Sequence, residues 1–155
     1  MSCEFKITRR VEFAETDLAG ILHFSNFFRY MEVTEHAFLR GLGLSACLRE
    51  REGEGLLGWP RVKAECTFTF PLRFEDRVEI HLVVREVHAK GVRYDFLFSK
   101  LAYDCKILAA RGNLDVLYAR LDAAKGTMKV IEIPPAIREK ITPAPPLLLH
   151  SLGLD

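Results

Sequence analysis

The chain is expected to fold as an α+β protein in which one antiparallel sheet curls around a single helix, and three features lead there. The first dozen residues alternate like a strand. A single long apolar stretch with helical spacing follows near residues 24–42. Most of the remainder is a run of alternating segments joined by short links. A sheet with one buried face needs a cover, and only one helix in the chain is long and apolar enough to supply it.

The opening "FKITRRVEF" (5–13) sets Phe5, Ile7, Val11 and Phe13 against Lys6, Thr8, Arg10 and Glu12, with Arg9 interrupting the apolar side. Residues 14–23 read as a connection with Gly20 at its sharp point. From Phe24 the period changes: Phe27, Met31, Thr34, Phe38 and Leu42 form one helical stripe. Phe24, Tyr30 and Leu39 widen it, so the helix should be largely enclosed, and "GLG" (41–43) ends it. A short helical piece is expected over 45–52, followed by a Gly-rich link, "GEGLLGWP".

"RVKAECTFTF" (61–70) alternates strictly, with Val62, Ala64, Cys66, Phe68 and Phe70 on one side. Strands over 76–87, 91–103 and 105–120 follow, and their short links imply antiparallel hairpins throughout. Residues 127–133 suit one more short strand, and "PPAIREKI" (134–141) a short helix opened by proline. One domain over 1–142 is expected, with 143–155 an irregular tail whose apolar patch can dock on the body or on a neighbour.

With 155 residues, 49% of them hydrophobic and 28% charged, the chain can bury a core of its own. A net charge of +1 provides no global field for nucleic acid or an anionic membrane. Cys3, Cys47, Cys66 and Cys105 lie far apart without zinc spacing, so no metal site is expected and buried free thiols are. Free thiols fit a reducing compartment. The N-terminus lacks the pattern of a signal peptide and no apolar run approaches a membrane span, so the expected location is cytoplasmic.

"ETDLAGILHFSNFFRYME" (15–32) carries the chemistry. Asp17 precedes the helix start, where backbone N–H groups lack internal partners and the dipole is positive. By itself the residue reads as a loop or capping acid, or as a carboxylate that activates water or attacks a carbonyl. A capping side chain usually serves N–H groups two or three residues on, and Ser25 and Asn26 sit closer to the helix. His23 can relay protons or fill an aromatic slot. Gly20 suits a positive-φ turn or a close approach of ligand to backbone.

Thr16, Asp17, Gly20, Phe24, Phe27, Tyr30 and Glu32 fall in step with a known motif. In them the chain resembles the hotdog-fold acyl-CoA thioesterases, closest to the 4-hydroxybenzoyl-CoA thioesterase type. "GWPRVKAECTFTFPLRFED" and "KVIEIP" are similar to further family strands, so the resemblance spans roughly residues 5–137. It implies a five- or six-stranded sheet wrapped about the helix, and homodimers with active sites at the subunit interface, often paired into a homotetramer. It implies hydrolysis of an acyl-CoA thioester to free acid and CoA, with no cofactor, since coenzyme A belongs to the substrate.

Residue by residue, the resemblance makes Asp17 the catalytic carboxylate and the Phe24 backbone N–H the donor facing the thioester oxygen. His23 departs from the family, where an aromatic is common and one branch has a histidine one position later. Positions that meet CoA phosphates in the family carry His88, Lys90 and Lys129 here, a thin set that Arg61 or Arg85 can supplement. Phe24, Phe27, Met31, Trp59 and Phe68 are candidates for the acyl pocket, Trp59 because it stands in a link. Glu32 and Glu35 lie on the helix that supplies the carboxylate in a second hotdog class. Other readings stay open: an acyl-carrier-protein thioesterase, a non-catalytic acyl-CoA-binding protein, and, less suited to the Asp17–His23 spacing, a hydratase.

Overall fold

The computed structural model describes residues 2–49 and 55–155. Strand β1 (Glu4–Arg10) leads through a 3-10 turn (Phe13–Glu15) and a tight loop to helix α1 (Ser25–Gly41). Two short strands follow, β2 (Cys47–Arg49) and β3 (Leu56–Gly58), and then β4 (Arg61–Phe68). Three long strands come next: β5 (Arg77–Val87), β6 (Gly91–Leu101) and β7 (Lys106–Leu117). The chain ends with β8 (Ala119–Asp122), β9 (Thr127–Val130) and two short helices, α2 (Pro135–Arg138) and α3 (Pro146–Ser151).

The main sheet has the order β1-β5-β6-β7-β4 and is antiparallel throughout. Its inner face carries Ile80, Leu82 and Val84 of β5, Tyr94, Phe96 and Phe98 of β6, and Leu114 and Val116 of β7. Helix α1 lies on that face through Phe27, Tyr30, Met31, Phe38 and Leu39, spaced three and four apart as one helical side requires. This is the sheet around a helix that the patterning predicts. The helix is not enclosed on every side, however, for Phe24, Arg29, Glu32, Val33 and Arg40 are exposed.

Several local expectations change. The link after β4 is not a hairpin: β4 crosses over to pair with β7, while β5 pairs with β1 and β6. Short links suggest hairpins only where the flanking strands share a buried face, and β4 lies at the sheet edge with most of its side chains exposed. The first strand stops before Val11, leaving Phe13 75% exposed in the 3-10 turn. The piece expected as helix over 45–52 is β2 where it is described, and it pairs with β3 inside the supposed Gly-rich link. Its remaining residues, 50–52, lie outside the described residues. The 105–120 strand divides at Tyr118, and β8 joins β2, β3 and β9 in a second sheet of order β2-β3-β8-β9.

The tail contains α3 where an irregular segment was expected. Leu148, Leu149, Leu152 and Leu154 cover Val83 and Leu97 on the outer face of the main sheet, and Arg111 holds the Leu152 and Gly153 carbonyls. Of the four free thiols, Cys3 and Cys66 are half-buried, whereas Cys47 and Cys105 are exposed rather than buried.

The hairpin between β5 and β6 depends on one close approach. A Cβ at Gly91 would stand 2.5 Å from the Val116 carbonyl oxygen of the neighbouring strand. Gly91→Ala is expected to destabilise the protein by about 1–3 kcal/mol, the usual cost of overpacking. Urea denaturation measures this, and an unchanged midpoint would show that β6 and β7 can spread freely there.

Candidate active site

Residues 15–23 form a short ladder folded back on itself. The Asp17 N–H donates to the Ile21 carbonyl (2.9 Å) and the His23 N–H to the Glu15 carbonyl (2.9 Å), with Gly20 at φ +74° closing the turn. Only glycine takes that backbone angle without a Cβ penalty. The expectation of a positive-φ turn at Gly20 is met. The loop is tied to the segment after β4 through the Leu22 N–H and the Leu72 carbonyl (2.7 Å).

Within the loop, Asp17 Oδ1 accepts the Ala19 N–H at 2.8 Å and the Ile21 N–H at 3.4 Å. The side chain therefore caps its own turn and no helix N–H, and it remains half-buried. Phe24 stands just before α1, with its ring 60% exposed instead of joining the apolar stripe. The Asn26 N–H donates to the His23 carbonyl (2.9 Å) and the Phe27 N–H to the Phe24 carbonyl (3.2 Å). Among the described residues, the Phe24 N–H itself has no acceptor.

Asp17, Phe24 and Phe27 line one cleft of about 490 Å³ with Ile21, Phe68, Phe70 and Leu72. The cleft is walled mainly by apolar groups. His23 shares an adjoining hollow with Asp17 and Phe24. Its Nδ1 lies 2.7 Å from Ser25 Oγ and 3.3 Å from the Ser25 N–H. A nitrogen that accepts an N–H carries no proton, which leaves the neutral ring's hydrogen on Nε2.

Other expected site residues lie elsewhere. Trp59 is buried against Tyr118, with ring centroids 4.8 Å apart, instead of standing free in a link. It contributes to a separate groove with Leu57, Leu121 and Met128. His88 and Lys90 lie in the β5–β6 hairpin, where His88 pairs with Glu86 at 3.0 Å, and Lys129 lies on β9 opposite Arg120. The hairpin is at the far end of β5 from the Asp17 loop, about 35 Å along the strand. Within one chain these basic residues do not join the cleft. Arg61 and Arg85 are engaged by Glu35 and Asp95 respectively. Among the described residues no cluster is placed to hold a metal ion, and no helix is long and apolar enough to cross a membrane.

The segment 69–72, which completes the cleft wall, was not singled out from sequence; only the alternation running on through Phe70 signals it. A second feature missed is how deeply Glu35 is buried, with no exposed surface and with an Oε1 that has no partner among the described residues. Its Oε2 receives the Arg61 guanidinium, which also meets Glu32 and His36.

With this arrangement established, similar proteins bear on what it is. The fold is the hotdog fold. A 4-hydroxybenzoyl CoA thioesterase, crystallised as an aspartate-to-asparagine variant with 4-hydroxybenzoyl CoA, matches with TM-score 0.78 over 91% of this chain and 100% of that one, at 19% identity. At that identity the likeness establishes fold alone. A gentisyl-coenzyme A thioesterase is similar at TM-score 0.73 and 28% identity, covering 89% of this chain and 100% of that one. A protein of Aquifex aeolicus (strain VF5), an esterase by name alone, is 36% identical over 110 residues, 70% of this chain and 80% of its own length. The family description "thioesterase-like superfamily" matches residues 11–141, and the chain belongs to that superfamily.

Burial pushes the Glu35 carboxyl up to about 7, opposed by Arg61 and reinforced by Glu32. The folded state then holds this proton more tightly than the unfolded chain, whose glutamates titrate near ~4.3. The contribution of Glu35 to stability therefore falls as pH rises from about 4.5 to about 7, by a few kcal/mol at most. Glu35→Gln, neutral at every pH, is expected to flatten that fall in urea titrations between pH 5 and 8. Equal slopes for both proteins would show that Glu35 does not titrate in this window.

Proposed function

We propose that this chain hydrolyses the thioester of an acyl-CoA to a free acid and CoA. One observation carries the reading: Asp17, with its carboxylate, and Phe24, whose N–H at the helix start has no acceptor among the described residues, line the same apolar cleft. Thioester hydrolysis needs a group that activates a nucleophile and a donor for the developing oxyanion, and these two supply them. Coenzyme A enters as part of the substrate, without a separate cofactor.

The acyl part occupies the cleft of Phe27, Phe68, Phe70 and Leu72, where, among the described residues, no charged group but Asp17 lines it. An apolar or aromatic acyl group fits such walls, and a charged one does not. Asp17 takes a proton from water as the oxygen attacks the carbonyl carbon, or attacks that carbon directly and forms an anhydride that water opens. In both courses negative charge gathers on the carbonyl oxygen at the positive end of α1, beside the Phe24 N–H. The C–S bond then breaks and CoA leaves as the thiolate. In this reading His23, with its hydrogen on Nε2, donates to the leaving sulfur or orients the water.

The functional unit is a homodimer, which two observations favour. The apolar side of β4 is only partly covered within one chain: Phe68 packs on Phe27 yet stays 47% exposed, and Val62 is 59% exposed. Its outer edge also offers unpaired backbone groups, which proteins rarely leave bare. Antiparallel pairing of β4 with a second copy sets the Phe68 end of one strand beside the Arg61 end of the other. That carries Trp59, His88, Lys90 and Lys129 of one copy toward the Asp17 cleft of its partner. The nucleotide phosphates would then meet those basic groups. A homotetramer would add a second contact between such pairs.

The test is release of free CoA thiol from aromatic, short-chain and long-chain acyl-CoAs. Asp17→Asn is expected to lower kcat by about 10³-fold or more with binding retained, since base and nucleophile are lost together. A variant as fast as wild type would remove Asp17 from the reaction, and wild type inert on every thioester would remove the hydrolytic reading. Sedimentation equilibrium should give twice the chain mass or a multiple of it, and a monomer would contradict the shared site.

A further inference from the structure

We propose that Asn26 is a positioning residue, whose side-chain amide closes with the His23 N–H on the single Glu15 carbonyl oxygen and so sets the spacing between Asp17 and the Phe24 N–H. The inference rests on the hydrolytic reading above. Asn26 Nδ2 donates to the Glu15 carbonyl at 2.8 Å, and the His23 N–H donates to the same oxygen at 2.9 Å. Glu15 stands two residues before Asp17, and His23 one before Phe24. One acceptor thus joins the strand that carries the carboxylate to the helix start that carries the donor.

Both sides of this junction are held. The Glu15 side chain accepts the Glu12 N–H (2.9 Å) and the Tyr30 hydroxyl (2.5 Å), and faces Arg9 at 3.7 Å. The acceptor therefore cannot swing away without breaking contacts to β1 and to the second turn of α1. On the other side, Asn26 uses its backbone as well: its N–H donates to the His23 carbonyl at 2.9 Å. In a trans peptide the C=O and N–H point in opposite directions. With the His23 carbonyl turned into the helix, the Phe24 N–H of that same peptide must point out of it. Asn26 thus aims the peptide with its main chain and places it against the Asp17 loop with its side chain.

The residue type supports this. Asparagine is a poor helix former and normally serves a cap by bonding locally. Asn26 reaches back eleven residues in sequence instead, to a carbonyl that already has one donor. Helix stability alone does not call for it. Misplacing reacting groups by about 1 Å can cost up to about 10²-fold in rate, so the consequence should appear in turnover more than in affinity.

The experiment compares wild type, Asn26→Leu, Asn26→Gln and Asp17→Asn in acyl-CoA hydrolysis, with thermal unfolding and amide hydrogen exchange on the same proteins. Asn26→Leu, nearly isosteric but without the donor, is expected to lose about 10–10²-fold in kcat. Its KM should stay within about twofold and its Tm within a few degrees, while exchange at the His23 amide accelerates. Asn26→Gln keeps a donor on a longer arm and should recover part of the loss. A wild-type kcat in Asn26→Leu would overturn the proposal. So would a matching decline of kcat and Tm in both variants, or unchanged exchange at His23. Full activity in Asp17→Asn would instead bring down the hydrolytic reading, and the His23 exchange would then decide the Asn26 contact by itself.

Discussion

Everything in this protein follows from the burial of one side of α1 against the inner face of the main sheet. Phe27, Tyr30, Met31, Phe38 and Leu39 meet the apolar residues of β5, β6 and β7, and each large side chain so buried is worth about 1.5–3 kcal/mol. The approach is close enough that a Cβ at Gly112 would lie 2.6 Å from Met31 Sδ. A helix seated this tightly has little freedom to slide or turn, because packed interiors do not deform continuously. Its N-terminus is therefore held over one end of the sheet, and the Phe24 N–H with it. The chemistry proposed for that end would draw on a rigidity that the core supplies.

The price of the arrangement is visible at Glu35, a carboxylate inside the same contact. Its pairing with Arg61 ties the middle of α1 to the start of β4, the most exposed strand of the main sheet. A buried ion pair seldom adds net stability, but breaking one is costly because it leaves a charge without a partner. The pair thus does less for the overall balance than for the register of an exposed edge strand against the helix. Tyr94, whose buried hydroxyl also has no partner among the described residues, lies in the same region, where burial and the Glu35 charge push its phenol well above its ordinary range.

The topology separates the two groups of residues proposed for the site. The order β1-β5-β6-β7-β4 places the Asp17 loop at one end of the long strands and the basic hairpin at the other. No local adjustment can join them in one chain. An exposed antiparallel edge offers the simplest geometric remedy, since pairing with a copy of itself reverses the two ends. The outer face of the sheet is less open to such a use, because α3 already covers Val83 and Leu97 there.

Much of this was legible in the residues. The change of period from two to near 3.6 at Phe24 defined the helix, and strict alternation marked β4 as a strand, because both are direct consequences of backbone geometry. Asp17, Gly20 and the helix start could be assembled into a candidate site from their spacing and from the family resemblance. What pattern could not decide were matters of long-range pairing. Alternation gave β4 an apolar side but not its neighbour, so the crossover to β7 was misread as a hairpin. Phe24 and Trp59 exchanged their expected places: one ring turned outward and the other into the core, since periodicity assigns a face but not what lies against it. The depth of Glu35 and the reach of Asn26 to Glu15 likewise depend on elements distant in sequence. Local order is set by neighbours along the chain, whereas burial and hydrogen-bond partners are set by which surfaces meet, and only the tertiary structure decides that.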